Sequence, residues 1–197
     1  RWARRFHVSP RNVFALLAEV GEECAGAIQF ATPERWEALR AEEAPRVAWL
    51  DAGELEQRLR LLREDHAAGR RTGDAGQFSL AGAQPKTALF HDGVRWGVPA
   101  GRTPTTHILK PPTGEFDGHA ENEHFCLALA RACGLPAAHS RVLRFGREVA
   151  IAVERYDRAR LAEGRVVRLH QEDLCQALGV SPMRKYESEG GPGAKAI

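Results

Sequence analysis

Between residues 78 and 110 every apolar run is only three to five residues long: "FSL" (78–80), "KTALF" (86–90), "RWGVP" (95–99) and "THILK" (106–110). Such runs are strand-sized, too short for stable helices. His91-Asp92-Gly93 supplies the Asp-Gly turn of a hairpin, and connections this short join antiparallel neighbours. An antiparallel sheet in the middle of the chain is therefore the strongest constraint on the fold.

Around that sheet the pattern alternates. Ser9-Pro10 predicts a helix start, followed by Val13, Leu16, Leu17 and Val20 at helical spacing until Gly21. "AGAIQF" (25–30) reads equally as a strand or as more helix. "RVAWL" (46–50) is a strand, and Asp51 with Glu54 forms a capping box for a helix through Leu55, Leu59 and Leu62 that ends near Gly69. Glycine and charge between residues 66 and 76 mark a boundary. After the four strands, residues 122–133 predict a helix with Phe125, Leu129 and Cys133 on one face, closed by Gly134. "RVLRF" (141–145) and "EVAIAVERY" (148–156) form a hairpin about Gly146, "GRVVRLH" (164–170) is a further strand, and residues 171–179 form a helix capped by Gly179.

Composition excludes more than it selects. A hydrophobic fraction of 43% supports a real core, and 28 basic against 26 acidic residues give no bulk field toward nucleic acid or membranes. No apolar run approaches the roughly 18 residues of a membrane span, and "RWARRFHV" lacks a signal-peptide core. Cys24, Cys126, Cys133 and Cys175 show no CxxC pair, and Cys126 with Cys133 read as buried thiols, so the expected location is the cytoplasm. The only methionine is Met183, so Arg1 is not expected to be a translation start and the chain reads as a fragment.

Four features in order carry chemistry. Ala81-Gly82-Ala83 lets a backbone approach phosphate oxygens closely, although most small-residue hairpins are only turns. Lys110 ends an apolar strand, where a cation could reach phosphates under that loop; the plain alternative is a solvated edge lysine. Glu123, like Glu121, stands at the start of the next helix, either orienting the strand lysine or simply favoured by the helix dipole. In "AVERYDR" (152–158) an apolar strand runs into residues whose backbone could pair with an adenine edge, with Tyr156 as a wall. Zinc is not expected from His107, His119, His124 and His139, whose spacing is wrong, and "RLRLLRED" reads as a solvated helix face.

The strings "FSLAGAQPKTAL", "TPTTHILKPP", "ENEHFCLALARACGLP", "AVERYDR", "HQEDLCQALG" and "KYESEGGPG", in register from residue 78 to 193, closely resemble the HipA family of serine/threonine kinase toxins from bacterial toxin-antitoxin modules. The first thirty residues resemble the tail of that family's N-terminal subdomain. The resemblance implies an α+β fold: residues 1–70 from a small N-terminal α/β subdomain, 71–158 a protein-kinase-like N-lobe, and 159–197 the start of a helical C-lobe. It implies an ATP phosphate loop of Ala81, Gly82, Ala83, Gln84, Pro85 and Lys86, and assigns the α and β phosphates to Lys110. Glu123 stays the candidate lysine-orienting acid, and the resemblance makes Glu154, Arg155 and Tyr156 the adenine hinge. Ser79 matches the family's autophosphorylated serine. Pro85 stands where better-known members carry an acid, and it removes one backbone donor from the loop.

The same resemblance implies ATP and Mg2+ as cofactors and a HipB-like helix-turn-helix antitoxin as partner, with DNA reached only through it. The implied substrate is a protein, with an aminoacyl-tRNA synthetase as one candidate, whose phosphorylation arrests growth. The family's catalytic and metal-binding aspartates have no counterpart in this sequence and are expected downstream of Ile197; "FDGHAENEHF" (116–125) echoes them on the wrong side of the hinge. The isolated chain is therefore expected to be inactive. A non-catalytic module that docks an antitoxin or target stays open as the alternative, as does a nucleotide-binding regulatory fold unrelated to toxins.

Overall fold

In the computed structural model, which describes residues 6–9, 11–64, 84–112 and 118–196, the strand-sized runs form one antiparallel sheet. Its strands are β1 (Arg46–Leu50), β2 (Thr87–His91), β3 (Trp96–Ala100), β4 (His107–Lys110), β5 (Ser140–Phe145) and β6 (Glu148–Glu154), in the order β1-β3-β2-β4-β6-β5. β7 (Arg158–Arg160) and β8 (Val166–Arg168) make a separate two-stranded ribbon. β7 was not foreseen, and "FSL" (78–80) lies outside the described residues. β1, from the 1–70 segment, pairs with β3 along five positions, so the sheet joins chain on both sides of residue 70.

The hairpins are fixed by local chemistry. Asp92 accepts the amides of Val94 and Arg95 at 2.8 and 2.7 Å, bonds that hold its carboxyl down to about 2. Between β5 and β6, Gly146 adopts φ 58°, and its missing side chain leaves room for the Glu56 carboxylate, which accepts the Arg147 amide at 3.0 Å.

Helix α1 (Val13–Val20) starts later than Ser9-Pro10 implied: Asn12 caps it by accepting the Ala15 amide at 3.0 Å. Residues 25–30 are neither strand nor helix. A second helix, α2 (Pro33–Arg40), is capped by Thr32 with proline in its first turn, a signal that the sparse apolar spacing of "PERWEALR" concealed. The Asp51/Glu54 capping box is present in both directions at 2.8 and 2.9 Å and opens α3 (Ala52–Glu64).

Helix α3 lays Leu55, Leu59 and Leu62, each 3% exposed or less, along one face of the sheet. Alternation along the strands sends Leu89, Leu109, Ala150 and Ala152 to that face, where they join Leu55, Leu59, Trp96 and Val98 in the core. Each fully buried leucine contributes about 1.5–3 kcal/mol. The Arg-rich run is not wholly solvated: Arg58 is 2% exposed and reaches Thr87 Oγ1 at 3.5 Å, because its position in the helical repeat faces the sheet. Arg63 leaves the same helix to bind Glu148 through two bonds of 3.1 and 2.8 Å.

The opposite face is covered in part by α4 (His119–Ala132), which packs on β5 and β6 and begins three residues before the expected start. Its Phe125 and Leu129 are 63% and 50% exposed, and Cys126 and Cys133 are exposed too, which corrects the buried-thiol reading. The helix turns Glu123 and His124, not its apolar stripe, toward the strands; His124 Nδ1 lies 2.9 Å from Ser140 Oγ. A short helix α5 (Leu174–Ala177) follows, with a complete Asp173/Gln176 capping box. Among the described residues no helix is long and apolar enough to cross a membrane.

Candidate functional site

Strand β4 separates two jobs by parity. His107 and Leu109 face the α3 core, while Ile108 and Lys110 face the side on which α4 lies. There Lys110 Nζ donates to Glu123 Oε1 at 2.5 Å, with the two side chains 21% and 30% exposed. The strand ends at Lys110 just as the first turns of α4 pass over it, which puts the carboxylate within reach. β2 pairs with β4 as Thr87 with Leu109, so the next position in register sets Lys86 opposite Lys110. Burial, and then the Lys110 charge, push the Lys86 ammonium below its usual range. Cross-strand pairing of Ala88, Ile108 and Val153 lays a short apolar floor beside these groups.

At the other end of the same floor β6 leaves the sheet. The Glu154 amide donates to the His139 carbonyl at 2.8 Å and the Arg155 amide to the Thr106 carbonyl at 2.9 Å. Alternation then makes Glu154 and His107 a non-hydrogen-bonded pair, so the Glu154 carbonyl is turned from β4. Among the described residues neither that carbonyl nor the Tyr156 amide has a backbone partner. Tyr156 is largely exposed, and its hydroxyl donates to Gln171 Oε1.

The Arg155 side chain does not face this opening. It lies in a buried ion cluster that sequence reasoning missed, binding Asp157 at 3.0 and 2.7 Å, Glu23 at 3.3 Å and Thr105 Oγ1 at 2.8 Å. Arg158 binds Glu23 at 2.8 Å and Asp157 at 3.0 Å, and Arg168 binds the other Glu23 oxygen. Burial works against ionisation of Glu23, yet Arg168, Arg158 and Arg155 outweigh it and hold the carboxyl below its usual range. Asp157 is likewise lowered against burial, by the Arg155 bond and the Gly26 amide. No short-range pattern could have revealed these partners: Glu23 and Arg155 are 132 residues apart.

Of the remaining expected site residues, Gln84 is half-buried and Pro85 buried, whereas Ser79, Ala81, Gly82 and Ala83 lie outside the described residues. So does Ile197, the position past which the catalytic aspartates are expected. Among the described residues no group of three or more His, Cys, Asp or Glu side chains converges as a metal site.

Residues 78–197 match the HipA-like C-terminal domain and residues 1–31 the HipA N-terminal domain. The chain belongs to the HipA family. It is 43% identical over 193 residues to a putative kinase, Y4mE, of Sinorhizobium fredii, covering 96% of this chain and 45% of that protein. It is 36% identical over 189 residues to the serine/threonine-protein kinase toxin HipA of Shewanella oneidensis, covering 94% and 41%. A solved complex of Shewanella oneidensis HipA with HipB and operator DNA matches with a TM-score of 0.70 and 32% identity, over 99% of this chain and 44% of the solved one. The HipA-family chain thus spans less than half the length of these relatives, and the match extends to its mixed helical and antiparallel-sheet fold.

Proposed function

We propose that this chain is the ATP-binding portion of a HipA-like serine/threonine protein kinase toxin, with residues 71–158 arranged as a kinase-like N-lobe. The observation that carries the reading is the 2.5 Å pair of Lys110 and Glu123, a strand lysine held by a helix carboxylate beside an apolar floor. Lys110 would hold the α and β phosphates and Glu123 would fix its ammonium. The open Glu154 carbonyl and Tyr156 amide suit an adenine edge, which offers one donor and one acceptor. Residues 81–86 would form the phosphate loop, with Lys86 as a second cation.

Bound ATP would supply the phosphoryl group, and this chain's own part is to position it. Phosphoryl transfer also needs a carboxylate at the attacking hydroxyl and acids on magnesium. The described residues do not fit magnesium, since Glu123 is engaged by Lys110, Glu23 and Asp157 are engaged by arginines, and no group of three or more His, Cys, Asp or Glu side chains converges. Those functions are assigned to residues outside this sequence, downstream of Ile197. The substrate is then a protein serine or threonine, an aminoacyl-tRNA synthetase by family resemblance, and Ser79 the site of autophosphorylation. The solved HipA complex contains HipB, which supports a HipB-like antitoxin as partner.

Titration with a fluorescent ATP analogue tests the reading. The chain should bind weakly, and Lys110→Ala should raise Kd at least about tenfold, the loss of a charge-assisted phosphate contact. Equal affinity of the two proteins overturns it. Incubated with labelled ATP, the 197-residue chain should transfer no phosphate; Ser79 labelling by this chain alone contradicts the division of labour.

A further inference from the structure

Glu23 lies between α1 and α2, far in sequence from the strands that carry the candidate site, yet it is 5% exposed and binds Thr105, just before β4, and Arg155, just after β6. Its Oε1 accepts the Thr105 amide at 2.9 Å and Thr105 Oγ1 at 2.7 Å, at the entrance to β4. The same oxygen accepts Arg155 at 3.3 Å, just past the end of β6, and Arg158 at 2.8 Å. Between these anchors runs the backbone bond from the Arg155 amide to the Thr106 carbonyl. Asp157, on the far side of Arg155, is tied back to the same segment by the Gly26 amide at 2.7 Å.

Two carboxylates, Glu23 and Asp157, stand among the three guanidinium groups of Arg155, Arg158 and Arg168. The other donors go to carbonyls of Cys24, Gly26, Thr105 and Arg102. Take Glu23 away and three buried cations face a single carboxylate, a state a low-dielectric site does not hold. Relief requires a guanidinium to turn toward water, and Arg155 can do so only by moving the backbone on either side of it. That backbone carries the Glu154 carbonyl and the Tyr156 amide.

We propose that Glu23 is a positioning residue for adenine-base recognition, holding the backbone of residues 154–156 in place through Arg155 and Thr105. The inference rests on the ATP-binding reading above. It separates the two halves of the ligand: the phosphate side, at Lys110 and Glu123, has no contact with the cluster among the described residues. Losing Glu23 should weaken recognition of the base and spare recognition of the phosphates.

The test uses the intact gene product, with the fluorescent ATP analogue displaced by ATP and, separately, by inorganic tripolyphosphate. Glu23→Gln leaves the guanidinium groups of Arg155, Arg158 and Arg168 facing the single carboxylate of Asp157. ATP affinity should fall at least tenfold and tripolyphosphate affinity stay within twofold. Thr105→Val, which alters no charge, should show the same split with a loss of about threefold for ATP, and it decides the matter if Glu23→Gln does not fold. Unchanged ATP affinity overturns the proposal, and so does a parallel loss of both ligands, which marks a purely structural role. A wild type that binds neither ligand refutes the nucleotide reading itself and the inference with it.

Discussion

Lys110 and Glu123 meet at 2.5 Å across the junction of β4 and α4, one at the last residue of its strand and the other in the second turn of its helix. Both are part-exposed, so the pair adds at most about 1 kcal/mol to folding stability. Its value lies in orientation: a lysine tethered to a carboxylate presents its remaining protons in one direction. Glu123→Gln should therefore raise the Kd for ATP several-fold while leaving the thermal midpoint within about 3 °C of wild type. Nucleotide titration and a melting curve on the same sample check both halves.

His107 packs edge-on against both Trp96 and His91, its Nδ1 2.9 Å from Thr106 Oγ1 and its Nε2 3.9 Å from Glu154. Burial, then the charges of His91, Arg141 and Arg160, push its pKa down to about 4 from 6.5. The folded state binds its proton more weakly than the unfolded chain. Stability from this group is thus complete above pH 6.5 and lost as pH falls toward 4, by up to about 3 kcal/mol. An NMR titration of the imidazole should give a midpoint near 4, and a midpoint at or above 6.5 would contradict the assignment.

The sheet was legible because each of its strands is a short apolar run between turn residues, a pattern local in sequence. Asp51 and Glu54 were legible for the same reason, three residues apart and bonded to each other. The ion cluster was not, because Glu23, Arg155 and Arg168 mean nothing until distant segments meet. Lys110 and Glu123 fall between: spacing offered them with equally good plain explanations, and only their order within a family pattern raised them. Helical spacing showed that Phe125, Leu129 and Cys133 share a face, but periodicity cannot say whether anything covers it.

That exposure predicts thiol chemistry. Cys126 and Cys133 are exposed on and beside α4, while Cys24 and Cys175 are half-buried. Burial and then the neighbouring Glu23 charge push the Cys24 thiol up, which lowers its thiolate fraction. Under native conditions a chromogenic disulfide should modify two thiols quickly, Cys126 and Cys133 by peptide mapping, and Cys24 slowest. Rapid labelling of Cys24 would show that the cluster around Glu23 opens readily.

Gly97 tests whether the segment before residue 70 is truly part of the sheet. It pairs with Trp49 on one side and Phe90 on the other, and those two rings meet edge to face at 6.0 Å over the position where it has no side chain. A Cβ there would overlap Val47 Cγ1 and come within 2.9 Å of the Ala48 carbonyl oxygen. Backbone cannot give way as a flexible side chain can, so β1 would have to shift off β3. Overpacking of this kind costs about 1–3 kcal/mol. Gly97→Ala should lower the urea midpoint accordingly, with no change in slope if β1 and the rest of the sheet unfold together. If β1 were only loosely attached, the variant would instead release it alone: the global midpoint would hold, and amide exchange would quicken for Val47 and Trp49 only.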